Sequence, residues 1–405
     1  MTNPNVMALE KKAIVSLPTE EAPRGRRFLG RGRAVQAPFP YVEADGLHLF
    51  ADSEETWKEL LSDLSAAKNS ILIETFIFVD GAAARAVTKI LVERAHAGVD
   101  VRLHVDGYGS LPLSKESEAM LVSAGVQVRR FNDPVSHLGA LLDASRFHRR
   151  SHRRIIVVDG RVGWVGGLGV DDRWWPSPRR MPTRDAMLRF GGALAKQLEQ
   201  AFLHLWNNPN GVMSSDPIAD ARLGQARVVP NHPLLARRFR SVLYRRMLAS
   251  KKRIWLATPY FIPSRRLRRV LRLAAGQGVD VRLFLPGSRY HDHPLVRMAA
   301  HRHYMRLLDA GVRIFEFQPT FLHGKIGLFD EDWTVIGSAN LDRLSLFHNH
   351  ELLVESKDQD LASDVLEEFF QIVEESKEIH FESWAKRPIL GKIVEQVCGW
   401  FDRLF

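Results

Sequence analysis

The chain has 405 residues and a formal net charge of +10, with 45% hydrophobic and 26% charged residues. That length holds two domains of ordinary size or one duplicated unit, and the composition excludes a fibrous or wholly disordered protein. An excess of cations favours anionic partners, phospholipid headgroups or nucleic acid, and charge alone does not choose between them.

A single cysteine, Cys398, excludes an intrachain disulfide and fits a reducing compartment. The first thirty residues lack the uninterrupted apolar stretch of a secretory signal, so none is expected. No apolar run reaches the roughly eighteen residues of a membrane span, so any membrane association should be peripheral.

Residues 1–38 mix Pro, Glu and Arg without period and end in Arg24, Arg26, Arg27, Arg31 and Arg33. They read as a basic, mobile tail, either solvated or in electrostatic contact with an anionic surface. From residue 39 the chain reads twice. A helical pattern over 54–68 places Trp57, Leu60, Leu61 and Leu64 on one face, and a buried-strand pattern follows from Ser70 to Phe78. The second half answers with a helix over 238–249 and a strand over 253–261. The phrase Gly98-Val99-Asp100-Val101-Arg102-Leu103 recurs residue for residue from Gly278 to Leu283, and 124–128 is answered by 310–314. Offsets of about 170 to 185 residues argue for internal duplication. Helices alternating with apolar strands predict an α/β sandwich in each half, over 39–215 and 216–385. Residues 386–405 read as an amphipathic helix, whose apolar side after Pro388 includes Trp400 and Phe401. It suits a membrane interface or a dock on the protein's own core.

Chemistry concentrates in one stretch of the second half. His323 and Lys325 precede an apolar run, Ile326 to Phe329; Asp330 follows, and a second strand leads to Gly337-Ser338-Ala339-Asn340. A hairpin here brings an imidazole, a cation and small neutral donors to one end, a set suited to phosphate chemistry. The first half carries a counterpart in altered form: His152, Arg154 and Asp159, then Gly166-Gly167-Leu168-Gly169. Arg154 keeps the charge as a planar fork, and Gly169 has no side chain where the second half has Asn340. Asp185 and Glu351 each lead into an apolar strand downstream of a motif histidine.

The spacing His-x-Lys-x4-Asp-x6-Gly-Ser-x-Asn resembles the signature of the phospholipase D superfamily. The resemblance covers nearly all of residues 40–385 and is closest to bacterial cardiolipin synthases of that type. It extends to Glu74-Thr75-Phe76-Ile77-Phe78, to Asp106 through Ser110, and to Leu341, Asp342, Ser345 and Asn349-His350-Glu351.

The resemblance implies two duplicated α/β sandwich halves sharing one active site at their interface. Catalysis would fall to His152, His323, Lys325, Arg154, Asp159, Asp330, Asp185 and Glu351. His152 would attack phosphorus, His323 would act as acid and base, and the two carboxylates would orient the histidines. Ser338, Asn340 and the backbone near Gly167 would bind the phosphoryl oxygens. No cofactor or metal is implied. The implied activity is transfer of a phosphatidyl group from phosphatidylglycerol to form cardiolipin, at the cytoplasmic side of a bacterial membrane. A water-using phosphodiesterase or nuclease, and a lipid-binding protein without catalysis, stay open as alternatives, with nucleic acid as a second anionic partner.

Overall fold

In a computed structural model the described residues are 39–134, 149–213 and 224–388. The basic tail and the amphipathic stretch from 389 onward lie outside them. The first sheet contains β1 (Ala44–Phe50), β2 (Ser70–Thr75), β3 (Asp100–Asp106), β4 (Gln127–Phe131), β5 (Ile155–Val158), β6 (Val162–Gly166) and β7 (Met187–Gly191). Its order is β1-β7-β6-β5-β2-β3-β4.

The second sheet contains β8 (Ala226–Asn231), β9 (Arg253–Ala257), β10 (Asp280–Pro286), β11 (Arg313–Phe317), β12 (Ile326–Phe329), β13 (Trp333–Gly337), β14 (Glu351–Ser356) and β15 (Ser376–Ile379). Its order is β8-β14-β13-β12-β9-β10-β11-β15, the first sheet repeated strand for strand with β15 added at one edge. In each, a parallel trio (β2-β3-β4 or β9-β10-β11) meets an antiparallel hairpin (β5-β6 or β12-β13). The duplicated phrases thus fall on matching elements.

Covering both faces of a sheet removes the reason for alternation. β5 reads Ile-Ile-Val-Val with every residue buried, and all residues of β12 and β13 are buried as well. One apolar cluster joins Leu72, Ile155 and Leu188 of the first sheet to Trp255, Ile326 and Leu352 of the second. The helices Gly192–Asn207 and Gln359–Glu374 contribute Phe202 and Phe369 to it. The halves therefore share a core between their sheets.

The helices preceding β3 and β10 end alike. Gly98 and Gly278 take φ of 86° and 84°, and the Val99 and Val279 amides bond back to the carbonyls of Arg94 and Ala274. A side chain is disfavoured in that left-handed region, which explains the repeated glycine. β2 and β9 end earlier than their apolar runs predict. Thr75 Oγ1 donates to the Ile77 carbonyl at 3.0 Å, and Thr258 Oγ1 to that of Tyr260 at 3.1 Å. These turns lift Phe76, Ile77 and Tyr260 off the sheets and into the wall of a cavity between the halves.

Candidate active site

Each histidine reaches the cavity on a segment stitched to the opposite half. The His152 N–H donates to the His350 carbonyl at 2.9 Å, and the His350 N–H to that of Arg150 at 2.8 Å. On the other side Arg184 N–H donates to Phe321 O at 3.0 Å, and His323 N–H to Arg184 O at 2.7 Å. The stitching fixes which carboxylate each imidazole meets.

His152 Nδ1 lies 3.0 Å from one Glu351 oxygen and 3.2 Å from the other. His323 Nδ1 lies 2.6 Å from Asp185 Oδ2. Both carboxylates are held in turn. Ser338 Oγ donates to Glu351 at 2.5 Å; the Trp174 indole N–H donates to Asp185 Oδ2 at 2.7 Å and the Ala186 N–H to Oδ1 at 2.8 Å. With Nδ1–H bound to a carboxylate, Nε2 is the lone-pair nitrogen of each neutral ring, and that of His152 is left for chemistry.

The cations occupy matching places. Lys325 Nζ donates to the His323 carbonyl at 2.7 Å and stands 2.9 Å from Nε2. A guanidinium nitrogen of Arg154 donates to the His152 carbonyl at 3.1 Å and stands 3.3 Å from that ring. The arginine therefore does locally what the lysine does.

Burial, with Arg154 beside it, holds the His152 imidazole down to about 4. Burial and Lys325 hold His323 down to about 3. Burial works to raise Asp185, but His323 and Lys325 outweigh it, and the carboxyl sits at about 2. Near neutral pH both imidazoles are neutral and the Asp185 carboxylate is ionised. Burial pushes Lys325 well below and Arg154 below their ordinary values, so an arriving anion would favour the charged form of each.

Both rings, Arg154 and Asn340 line a cavity of about 470 Å³. Phe76, Ile77 and Trp174 from the first half and Tyr260, Ile262 and Phe321 from the second give it apolar walls. Among the described residues no cluster of His, Cys, Asp or Glu is arranged to hold a metal ion.

Four expected site residues lie elsewhere. Asp159 and Asp330 follow β5 and β12 at φ of 53° and 54°. Asp159 accepts backbone N–H groups from Lys68, Asn69 and Ser70, and Asp330 from Lys251, Lys252 and Arg253. They tie the hairpin turns to neighbouring strands and line no part of the cavity. Ser338 is fully buried behind Glu351, and its hydroxyl hydrogen is committed there. The Gly167 N–H is committed to Ala186 O at 3.2 Å. A Cβ at Gly167 would fall 2.1 Å from Asp185 Oδ1, so the residue answering Ser338 must be glycine. Trp174 supplies the donor instead.

Sequence reasoning passed over Trp174; its only signal was the Trp174-Trp175 pair between the first motif and Asp185. His350 packs edge-on against Phe131 and His232 and stitches the backbone.

Two half-sites with crossed histidine–carboxylate contacts thus face one cavity, the arrangement of a duplicated two-motif fold. A family model described as "Cardiolipin synthase, PLD-like domain" matches residues 60–206 and 243–373. The chain belongs to this phospholipase D-like family. It is 34% identical to cardiolipin synthase 2 of Bacillus cereus over 85% of this chain and 68% of that one. It is 32% identical to cardiolipin synthase A of Pseudomonas aeruginosa over 80% and 66%. Among solved structures, phosphatidylserine synthase of Haemophilus influenzae shares the fold at a TM-score of 0.71 and 12% identity, over 91% of this chain and 96% of that one.

Proposed function

We propose that the protein transfers a phosphatidyl group from one phosphatidylglycerol to another, forming cardiolipin and releasing glycerol. The carrying observation is the pair of crossed histidine–carboxylate contacts facing one cavity. Membership in a family described as cardiolipin synthase supports this choice of substrate.

In the first step His152 Nε2 attacks phosphorus, the bond to the glycerol oxygen breaks, and His323 gives that oxygen its proton. The product is a phosphohistidine and free glycerol. His323 holds a proton at this stage because the bound phosphodiester offsets Lys325 and Arg154, the charges that otherwise keep the ring neutral. In the second step a hydroxyl of the acceptor lipid gives its proton to His323 and attacks phosphorus. The phosphorus–nitrogen bond breaks and His152 is restored. Glu351 and Asp185 hold each ring in its tautomer and support the imidazolium. Lys325, Arg154 and Asn340 receive the phosphoryl oxygens.

A phospholipid substrate supports the reading that the protein works at a membrane surface, with the cytoplasmic side as the proposed one. Leu111, Met181, Tyr290 and Leu295 are exposed, each within three residues of one that lines the cavity. Exposed Arg179, Arg180 and Arg289 flank them, a mixture that suits an anionic surface. No helix among the described residues is long and apolar enough to cross a membrane.

The test is product analysis by mass spectrometry after incubating purified protein with phosphatidylglycerol vesicles. Cardiolipin and glycerol are expected, and both His152→Ala and His323→Ala should abolish them. Phosphatidic acid as the main product would replace transfer by hydrolysis; no product from wild type would leave lipid binding.

A further inference from the structure

Beyond Asn340 the chain runs to Asp342 and then into a wide helical turn, Leu344–His348. There the Asn349 N–H reaches five residues back to the Leu344 carbonyl at 2.8 Å. Wide turns of this kind are uncommon and concentrate at functional sites. This one is held from behind: buried Asn231 donates from its amide to the carbonyls of Ser345 and Asn349 at 3.0 and 3.1 Å.

The turn sets Ser345 and Asn349 beside Asp342 on one wall of the cavity, next to Asn340. All four are more than nine-tenths buried. Even so, Asn349 Oδ1 and Asn340 Oδ1 have no hydrogen-bond partner, and Ser345 stands against the Asp342 carboxyl. Buried polar atoms are nearly always paired, because leaving one unmade is costly. Two orphaned amide oxygens on residues that line one cavity point to a place for a ligand's polar groups.

Building on the reading given under Proposed function, we propose that Asp342, Ser345 and Asn349 form a subsite for the adjacent hydroxyls of a polyol headgroup, glycerol in particular. A carboxyl, a hydroxyl and an amide together donate to and accept from hydroxyl groups. The subsite is single. In the first half Gly169 answers Asn340, and the space a side chain would enter is taken by Trp174 and Ile77, at 3.0 and 3.2 Å from a Cβ there. Asp171 and Asp342 each accept a backbone N–H at 2.7 Å, from Arg173 and Ser345, but Asp171 is also engaged by the Arg173 guanidinium at 3.4 Å.

Calorimetric titration of the full chain with glycerol phosphate and with n-propyl phosphate tests the proposal, since the second ligand lacks only the two hydroxyls. Glycerol phosphate should bind the wild type about tenfold more tightly or better. In Ser345→Ala and Asn349→Leu the ratio should fall to about twofold or less, with propyl phosphate affinity held. Equal binding of both ligands by the wild type overturns the proposal, and so does an equal loss of both ligands in the variants. If Asn349→Leu does not fold, Ser345→Ala carries the test, because it removes one hydroxyl only. A second arm compares vesicles of phosphatidylglycerol with vesicles of phosphatidylpropanol, matched in charge. Discrimination there assigns the subsite to the lipid headgroup; discrimination with soluble phosphates alone assigns it to a free glycerol compound. Binding requires no turnover. A protein that makes no cardiolipin would defeat the proposed function, while this comparison would still decide the subsite.

Discussion

His152 meets Glu351, a partner 199 positions along the chain and in the other sheet. His323 meets Asp185 across the same boundary. Neither half therefore carries a complete histidine–carboxylate pair. Glu351→Gln keeps the shape but loses the charge that fixes the His152 tautomer, and should lower kcat by about 10³ to 10⁴-fold. Asp185→Asn should do the same through His323. Ser338→Ala and Trp174→Phe each remove one donor behind a carboxylate and should cost about ten- to a hundredfold. Circular dichroism shows whether the variants fold and steady-state kinetics reads the loss; a Trp174→Phe enzyme at full speed would remove the indole from the site.

Arg154→Lys should keep activity within a few-fold, because an ammonium bonded to the His152 carbonyl would repeat the Lys325 arrangement. Arg154→Ala should cost about 2–4 kcal/mol of transition-state stabilisation. Gly169 has no left-handed backbone, so the obstacle to Gly169→Asn is contact with Trp174 and Ile77. That variant should lose activity by displacing Trp174, and the change should show in tryptophan fluorescence.

Asp330→Ala should lower stability by about 1–2 kcal/mol, because three backbone N–H groups lose their acceptor at a turn. Turnover per folded molecule should be unchanged. Denaturant titration and kinetics on the same preparation separate the two effects, and a kcat loss beyond about tenfold at unchanged stability would return Asp330 to the chemistry.

Burial pushes the Asp342 carboxyl up to about 7, with Glu351 adding to the effect against the Ser345 N–H. An unfolded Asp ionises near 4. The stability linked to Asp342 is therefore present below about 4 and lost as pH rises through about 7. Asp342→Asn does not titrate, so its Tm relative to wild type should climb between about pH 5 and pH 9. His152 and His323 act with the opposite sign. They stay neutral when folded, and their contribution is present above about 6.5 and lost as pH falls toward their depressed values. Thermal melts across this range read both effects.

Tyr290→Ser with Leu295→Ser should weaken co-sedimentation with anionic vesicles while leaving turnover on a short-chain soluble substrate within about twofold. Equal losses in both assays would show that these side chains serve the fold.

Duplication was legible because buried strands and helix ends repeat nearly verbatim, as Gly98 to Leu103 and Gly278 to Leu283 do. The residues around each histidine were legible because the hairpin spacing keeps them local. The partner of each histidine was not. Distance along the chain places Asp185 and Glu351 at strand starts but does not say which histidine each faces, a matter settled by stitching between the sheets. Asp159 and Asp330 were misplaced for a related reason, since motif spacing does not separate an aspartate that ties a turn from one that faces substrate. Trp174 sits in an irregular segment with no period to read, and its role exists only because Gly167 leaves room for Asp185.

The strand-for-strand repetition has a consequence for what the molecule can tell apart. Two identical copies related by a twofold axis would present the same wall twice, so a bound phosphodiester would look alike read from either end. Joining the copies in one polypeptide lets each be edited alone. Gly169 and Trp174 on one side and Asn340 with its neighbours on the other are such edits. They give the cavity a polarity, with a different set of side chains from each half.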